Sequence, residues 1–328
     1  MKALVTGASG FIGSHIADRL IEAGIEVRCM MRKSSNNKWL DEKNADCVQA
    51  DFDDKNSMIK VLKDVDYVFH SAGLNFAHNK GDFYNINTLG TKKLLNAVYE
   101  SGADIKRFVY VSSQTASGPS NSLEEPVNED STRMPVTAYG LSKKLAEDEV
   151  ISFGGRLPYT IIKPPAVFGP RDTAIFEIIK MMNFGFVAHM GLKDKYISLI
   201  HSDDLSRGIV DAAFSEIAVN QTYFLANSET YEWDYINDVF LRSLQKKYFL
   251  KVRVPDQLIL TLGAINGFLF GLFNLQAKFD YDKAIDFTRK YWICSSEKAK
   301  NDLGFSHQIP FEDSVKSTID WYKLNKWL

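Results

Sequence analysis

Apolar positions along this chain switch repeatedly between two periods. Lys2-Ala3-Leu4-Val5-Thr6 is a short apolar run of strand type. After a glycine-rich turn, Ile12, Ile16, Ala17, Leu20 and Ala23 recur at helical spacing until Gly24 closes the segment. Glu26–Met31, Asp46–Ala50, Asp66–His70, Arg107–Ser112 and Tyr159–Ile162 read as strands two to six. A helix from about Asp82 to Ser101 carries Ile86, Leu89, Leu94, Leu95 and Val98 on its apolar stripe. Strands alternating with helices predict an α/β fold built on a doubly wound parallel sheet. Ser117 to Pro135, rich in Ser, Pro, Glu and Asn, predicts a surface loop. Beyond about Phe168 the pattern loosens into helices and short strands. The expected division is therefore residues 1–168 as one domain and 169–328 as a smaller, mostly helical part, interleaved with late sheet strands near 197–226.

The first turn reads Thr6-Gly7-Ala8-Ser9-Gly10-Phe11-Ile12-Gly13, between a strand and a helix, the context of a dinucleotide fingerprint. Gly7 allows the tight turn, Gly10 the close approach of a pyrophosphate, and Gly13 the packing of helix on strand. Ser9, Phe11 and Ile12 complete a cradle in which free amides and the positive end of the helix dipole face phosphate. Residues 1–168 are thus expected to form a Rossmann-type dinucleotide-binding domain, and 169–328 to bind substrate.

Tyr139 and Lys143 lie four residues apart, on one face of a helix. A nearby ammonium is expected to favour the phenolate and lower the Tyr139 pKa from about 10. Such a phenol can exchange a proton with a carbonyl or alcohol oxygen while hydride moves to or from a nicotinamide. Ser112 and Ser113 fall where strand five ends, at the carboxyl edge of the sheet, where open α/β sheets bind ligands.

With these residues in this order, the chain resembles the extended short-chain dehydrogenase/reductase superfamily, which includes sugar-nucleotide epimerases, dihydroflavonol reductases and 3β-hydroxysteroid dehydrogenases. The resemblance covers nearly the whole chain. Thr6–Gly13 matches the family glycine motif, Val68-Phe69-His70-Ser71-Ala72-Gly73 the strand-four segment lining the cofactor, and Asn87 with Gly90-Thr91 the helix after it. Tyr110-Val111-Ser112-Ser113 matches the serine motif, which implies Ser113 as the catalytic hydroxyl beside Tyr139 and Lys143. Lys163-Pro164-Pro165-Ala166-Val167-Phe168-Gly169-Pro170 looks like the segment beside the nicotinamide, implying cofactor contacts from Pro164 and Val167. Ile200-His201-Ser202-Asp203-Asp204-Leu205 looks like the motif that opens a later helix. The resemblance also implies that Lys143 holds the nicotinamide ribose, that Ser71, Ala72, Gly73 and Asn87 line the cofactor, and that a helix-paired homodimer is common.

Two departures sort the subfamilies. NAD-using members carry an acid at the end of strand two, where this chain has Met31 followed by Arg32-Lys33. A cationic pair suits a ribose 2′-phosphate, so NADP(H) is expected over NAD(H). Asp51-Phe52 resembles the adenine-contacting pair and is silent on that phosphate. Family dehydratases place Asp-Glu directly after the hydroxyl residue, where this chain has Gln114-Thr115. Neither exchanges a proton near neutral pH, which argues against dehydration and leaves Thr115 as a substrate hydrogen-bonding candidate.

Composition adds exclusions. At 24% charged residues and a net charge of −2, nothing points to nucleic acid. Cys29, Cys47 and Cys294 are odd in number and lack metal-ligand spacing, so free thiols in a reducing compartment are expected, with no metal site. His70 is expected to be a packed core residue, and His189 and His201 have no spaced partners. The sequence runs at once into its first strand, and with no signal peptide recognised the expected location is the cytoplasm.

One segment stands apart: Gln257 to Ala277 contains no charged residue. Thr261, Asn266, Asn274 and three glycines dilute it, and Pro255-Asp256 looks like an ordinary helix start. A buried or substrate-covering helix is favoured over a membrane-surface contact, and both over a span. The leading expectation is an NADP(H)-dependent oxidoreductase interconverting a ketone and a secondary alcohol on a fairly apolar small molecule. A sugar-nucleotide epimerase is the alternative; it needs cations for a diphosphate, with Arg171, Lys193 and Arg207 as scattered candidates. A non-catalytic dinucleotide sensor would lack the tyrosine, and Ser113, Tyr139 and Lys143 are all present.

Overall fold

A computed structural model describes residues 1–40, 45–77, 79–272 and 279–328. Its strands are β1 (Lys2–Thr6), β2 (Glu26–Met31), β3 (Ala45–Gln49), β4 (Tyr67–His70), β5 (Arg107–Val111), β6 (Tyr159–Lys163), β7 (Ala166–Phe168), β8 (Phe186–Met190), β9 (Tyr196–His201), β10 (Gln221–Phe224), β11 (Thr230–Glu232), β12 (Leu250–Val254) and β13 (Tyr291–Trp292). Seven of them form one sheet in the order β10-β6-β5-β4-β1-β2-β3, parallel throughout. The strand order reverses between β1 and β4, which opens a crevice at their carboxyl ends, the usual ligand position in such sheets.

Side chains alternate across the sheet. Ala3, Val5, Phe69 and Val109 pack under the helices Phe11–Glu22 and Ser202–Phe214. Leu4, Val68, Phe108 and Tyr110 pack under Lys55–Val61, Gly90–Ser101 and Ala138–Ser152. Burial on both faces explains why these strands read as continuous apolar runs. This is the Rossmann-type α/β sheet expected from the sequence. After β7 the chain alternates between regions: β7 pairs with β9, β9 with β11 and β13, and β10 returns to the main sheet beside β6. A separate core around Phe168, Phe240, Phe311 and Tyr322 supports the helical part.

Three local features differ from the sequence reading. The helix near Asp82–Ser101 comes in pieces: Lys80–Phe83, a π-helical turn Tyr84–Leu89, and Gly90–Ser101. The wide turn leaves Ile86 and Leu89 half-buried and turns Asn87 and Thr88 into the interior. The Ser117–Pro135 loop is tied down rather than merely superficial. Ser117, Ser120 and Val127 are buried, and Val127 bridges to Cys294. Finally, Cys29 and Cys47 are in-register neighbours on β2 and β3, with no disulfide between them.

The uncharged segment forms the helix Asp256–Leu272, and the expectation for 273–277 lies outside the described residues. Among the described residues no helix is long and apolar enough to cross a membrane.

Candidate active site

Beyond β1 the backbone turns through Gly7 at φ +73°, in the left-handed region that favours glycine. Gly10 N–H closes the turn on the Gly7 carbonyl at 2.9 Å. A Cβ on Gly7 would stand 2.7 Å from the Ala72 nitrogen, and one on Gly13 would overlap the Gly7 carbonyl. The loops after β1 and β4 therefore meet backbone to backbone. The helix that starts at Phe11 has no side-chain cap and no acid in its first turn, with Ser9 and Ile12 flanking its mouth. Its first amides remain open to an anion. A cradle of backbone walls, opened at positions a side chain would fill, fits a dinucleotide pyrophosphate.

At the end of β2, Met31 is buried while Arg32 and Lys33 are exposed, and among the described residues neither cation has an ion-pair partner. Arg32 N–H donates to Ser35 Oγ at 2.9 Å, fixing the bend. Asp51 accepts from Asp53 N–H at 2.9 Å, and the Phe52 ring stands edge-on to His70 at 5.8 Å. These residues lie at the carboxyl ends of β2 and β3, along the rim that an adenosine half would follow.

His70 is fully buried and sits in a directional chain. Thr91 Oγ1 donates to Asn87 O at 2.6 Å, so it accepts from His70 Nε2–H at 2.9 Å. His70 Nδ1 then accepts from Thr6 Oγ1 at 2.7 Å, and Thr6 Oγ1 accepts from Ala72 N–H at 3.3 Å. Burial pushes the imidazole down to about 3, with Lys143 adding to the effect, so the ring stays neutral. His70 is the core residue the sequence suggested, and it also ties β1 to the loop Ser71-Ala72-Gly73.

Asn87 closes that loop from below. Its Oδ1 accepts from Leu74 N–H at 2.7 Å, and its Nδ2 donates to Leu74 O at 3.1 Å and to Ser142 Oγ at 2.9 Å. Both amide hydrogens of Asn87 are engaged within the protein, and through them it positions Leu74 and the helix of Tyr139.

That helix, Ala138–Ser152, is capped by Thr137, which accepts from Gly140 N–H at 3.1 Å. Tyr139 is half-buried, and Phe83 lies 5.8 Å from its ring. Burial pushes its phenol up to about 12; the Ser113 hydroxyl opposes this and the Asp286 carboxylate adds to it. Ser113 Oγ accepts from both Thr115 N–H, at 3.2 Å, and Thr115 Oγ1, at 2.9 Å. Its own proton is thereby left for a third oxygen, and Thr115 serves Ser113 directly. Pro164, buried, accepts from Gln114 N–H at 2.8 Å and steadies the same turn. Val167 pairs with Ile200 across β7 and β9.

Lys143 corrects one expectation. Its ammonium donates to the Val111 carbonyl at 2.7 Å and lies 4.4 Å from the Tyr110 ring centroid. Burial drives it down to about 7 against the upward pull of Glu147. The phenol shift carries no contribution from the lysine: burial pushes Tyr139 up, while Lys143 is itself driven down by burial and bound to a carbonyl.

Glu147, one turn further along, escaped sequence reading. It is buried with Lys163 at 3.2 Å and Arg133 at 3.1 Å, and it accepts from Ser112 Oγ. The signal was its four-residue spacing from Lys143 on the same face as Tyr139. Asp286 also escaped, because it comes from the distant helix Tyr281–Thr288. It lines a pocket with Tyr139, Thr137, Asp280, Asp282 and Lys283. Burial pushes its carboxyl up and Lys283 pulls it down, and Oδ1 has no hydrogen-bond partner. Asp282 locks this wall in place by accepting from Ala138 N–H at 2.5 Å and pairing with Lys80 at 2.7 Å. Arg171 and Arg207 lie elsewhere, paired with Asp18 at 2.7 Å and Asp204 at 3.0 Å. Among the described residues no group of three His, Cys, Asp or Glu side chains could hold a metal ion.

A dinucleotide cradle at the sheet crossover, with a Ser-Tyr-Lys cluster at the same carboxyl edge, defines an NAD(P)-dependent enzyme of the extended short-chain dehydrogenase/reductase type. The profile of the NAD dependent epimerase/dehydratase family matches residues 3–226, and the chain belongs to that family. It is 26% identical over 326 residues to a ceramide reductase of Caulobacter vibrioides, covering 99% of this chain and 95% of that one. It is 25% identical to a decarboxylating sterol-4-alpha-carboxylate 3-dehydrogenase of Dictyostelium discoideum, covering 96% and 98%. Its fold superposes on the UDP-glucose 4-epimerase of Thermotoga maritima with a TM-score of 0.81 at 22% identity, covering 99% of this chain and all of that one.

Proposed function

We propose that this enzyme interconverts a ketone and a secondary alcohol on a fairly apolar substrate, using NADP(H). The observation that carries this reading is the charge around Tyr139. The pocket beside it presents Asp280, Asp282 and Asp286, with Lys283 in the lining and Lys80 paired to Asp282, so acids outnumber cations there. Such a wall repels a diphosphate, so it disfavours a sugar-nucleotide substrate. Similarity to a ceramide reductase and a sterol dehydrogenase agrees with an apolar substrate. The unpaired Arg32 and Lys33 at the end of β2 favour a 2′-phosphate on the adenine ribose.

The nicotinamide supplies or accepts hydride at the substrate carbon. Gly7, Gly10 and Gly13 admit the pyrophosphate to the helix amides, and Lys143 holds the ribose end. Tyr139, kept protonated by its burial, gives its phenolic proton to the carbonyl oxygen in reduction and recovers one from the alcohol in oxidation. Ser113, its lone pairs occupied by Thr115, donates to the same substrate oxygen. Gln114 and Thr115 offer no exchangeable proton near neutral pH, so water elimination is not part of this reading.

The test is to identify the nucleotide that stays with freshly purified protein by mass spectrometry, titrate the emptied enzyme with NADPH and NADH, and screen apolar ketones for NADPH oxidation. An exchanging site that prefers NADPH, with turnover lost in Tyr139→Phe, is the expected result. Tightly retained NAD⁺ and activity on a sugar nucleotide would overturn it.

A further inference from the structure

The helix Asp256–Leu272 is apolar on the wrong side for a water-facing element. Its inner edge is accounted for: Ile259 is buried, Gly263 lies against Ala284 and Asp280, and Asn266 donates to the Phe279 carbonyl at 2.5 Å. Its outer face is a stripe of Leu258, Leu262, Ile265 and Leu269, spaced i, i+4, i+7 and i+11, with Phe268 beside it. These side chains are 47%, 47%, 51%, 49% and 67% exposed. A helix apolar on both faces belongs in a protein core or against lipid, and among the described residues nothing covers the outer face of this one.

The ribbon that leads into the helix carries further exposed apolar residues. Leu250 N–H donates to the Gly185 carbonyl at 2.7 Å, which brings exposed Tyr248, Phe249 and Leu250 beside exposed Phe184 and Phe186. Lys246 and Lys247 directly precede Tyr248, Lys180 lies one helical turn before Phe184, and among the described residues none of the three has an acidic partner. Two acids of this region are matched, Asp234 to Lys251 at 2.9 Å and Asp194 to Arg253 at 3.5 Å. Apolar side chains bordered by free lysines are complementary to an anionic bilayer surface, with acyl chains below the headgroups and negative charge at their level.

We propose that the β8–β12 ribbon and the outer face of the Asp256–Leu272 helix dock this enzyme on an anionic lipid bilayer. The opposite edge of the same helix packs on Tyr281–Thr288, which supplies Asp282 and Asp286 to the Tyr139 pocket. One helix pair thus joins the lipid-facing surface to the wall of the reactive phenol, and places a bilayer source of apolar substrate beside that wall. That last step rests on the proposed reaction; the docking itself does not.

The experiment is co-sedimentation of the full chain, without nucleotide or substrate, with vesicles of phosphatidylcholine alone and of phosphatidylcholine mixed with phosphatidylglycerol. Binding is expected to the mixed vesicles, weakened by salt. It should fall at least about tenfold in a Leu262→Glu/Ile265→Glu variant and on the order of tenfold in Lys246→Glu/Lys247→Glu. Thermal melting and NADPH binding should match the parent in both variants, since none of the four side chains is buried. Parent protein that stays in the supernatant with both vesicles overturns the proposal. So does a parent dimer that Leu262→Glu/Ile265→Glu converts to monomer, which would make the stripe a contact between two copies. Vesicle binding without turnover of any apolar ketone would refute the reaction and leave the docking intact.

Discussion

The Lys143 ammonium donates to the Val111 carbonyl across 2.7 Å, at the last residue of β5. This contact positions the lysine between the sheet edge and Tyr139, in surroundings that resist its charge. Its folded-state value of about 7 lies below the ordinary 10.5, so above pH 7 the unfolded chain holds a proton that the folded chain does not. Stability linked to this group therefore rises with pH between 7 and 10.5. Lys143→Met removes the dependence: thermal melts at pH 7 and pH 9 should show the parent gaining on the variant. Lys163, Lys195, Cys29 and Cys294 also shift near this range, but they are present in both proteins and enter both melts. A gap that stays constant over this range would show that Lys143 keeps its charge.

Asp286 and Tyr139 share a pocket wall, and the carboxylate helps to hold the phenol up at about 12. Asp286→Asn should let Tyr139 release its proton more readily. In alcohol oxidation, where the phenol must act as a base, the rise of kcat with pH should begin at lower pH. Reduction at neutral pH, where the phenol is already protonated, should keep its kcat. Asp286→Glu should restore the parent profile; a loss of both directions at every pH would instead mark Asp286 as structural.

Arg32→Asp tests the reading of the 2′-phosphate. Losing one charge-assisted contact should weaken NADPH binding by about 1.5–3 kcal/mol, roughly tenfold to a hundredfold, with little effect on NADH. Isothermal titration with both nucleotides decides it, and an equal loss on both would assign Arg32 no part in the choice.

His70→Leu breaks the chain from Thr91 to Thr6 and leaves two buried hydroxyls short of a partner. Urea unfolding at pH 7 should show a loss of about 1–3 kcal/mol. Because the folded imidazole sits at about 3 and the unfolded one at 6.5, the parent loses stability as pH falls through that window. The gap between parent and variant should therefore narrow from pH 7 to pH 4.

The main sheet was legible because its strands are buried on both faces and interrupted by helical periodicity, so the six strands read from the sequence agree with the structure to within about one residue at each end. The nucleotide cradle was equally legible, since its chemistry is backbone and its glycines are adjacent. The pocket wall was not. Asp286 reaches Tyr139 only because the chain returns after more than a hundred residues, and nothing local to Tyr139 announces it. The direction of the Tyr139 shift was misread for a related reason: spacing identifies a neighbour, whereas burial and carbonyl partners determine which way its charge acts. The outward stripe on Asp256–Leu272 was invisible because an apolar sequence does not reveal which of its faces the fold will cover.

The wide turn at Tyr84–Leu89 has a consequence for how this site can change. It brings two consecutive side chains to bear on a single residue: Asn87 donates to Ser142 Oγ and Thr88 donates to the Ser142 carbonyl, each at 2.9 Å. Successive residues of a regular helix diverge by about 100°, and the wide turn helps both to face Ser142. The contact between the nucleotide loop and the reactive helix is therefore written in the spacing of the chain as well as in its residues. Shortening this stretch by one residue would rotate Ile86 and Leu89 inward and uncouple the two halves of the site, even with every residue named in the chemistry left in place.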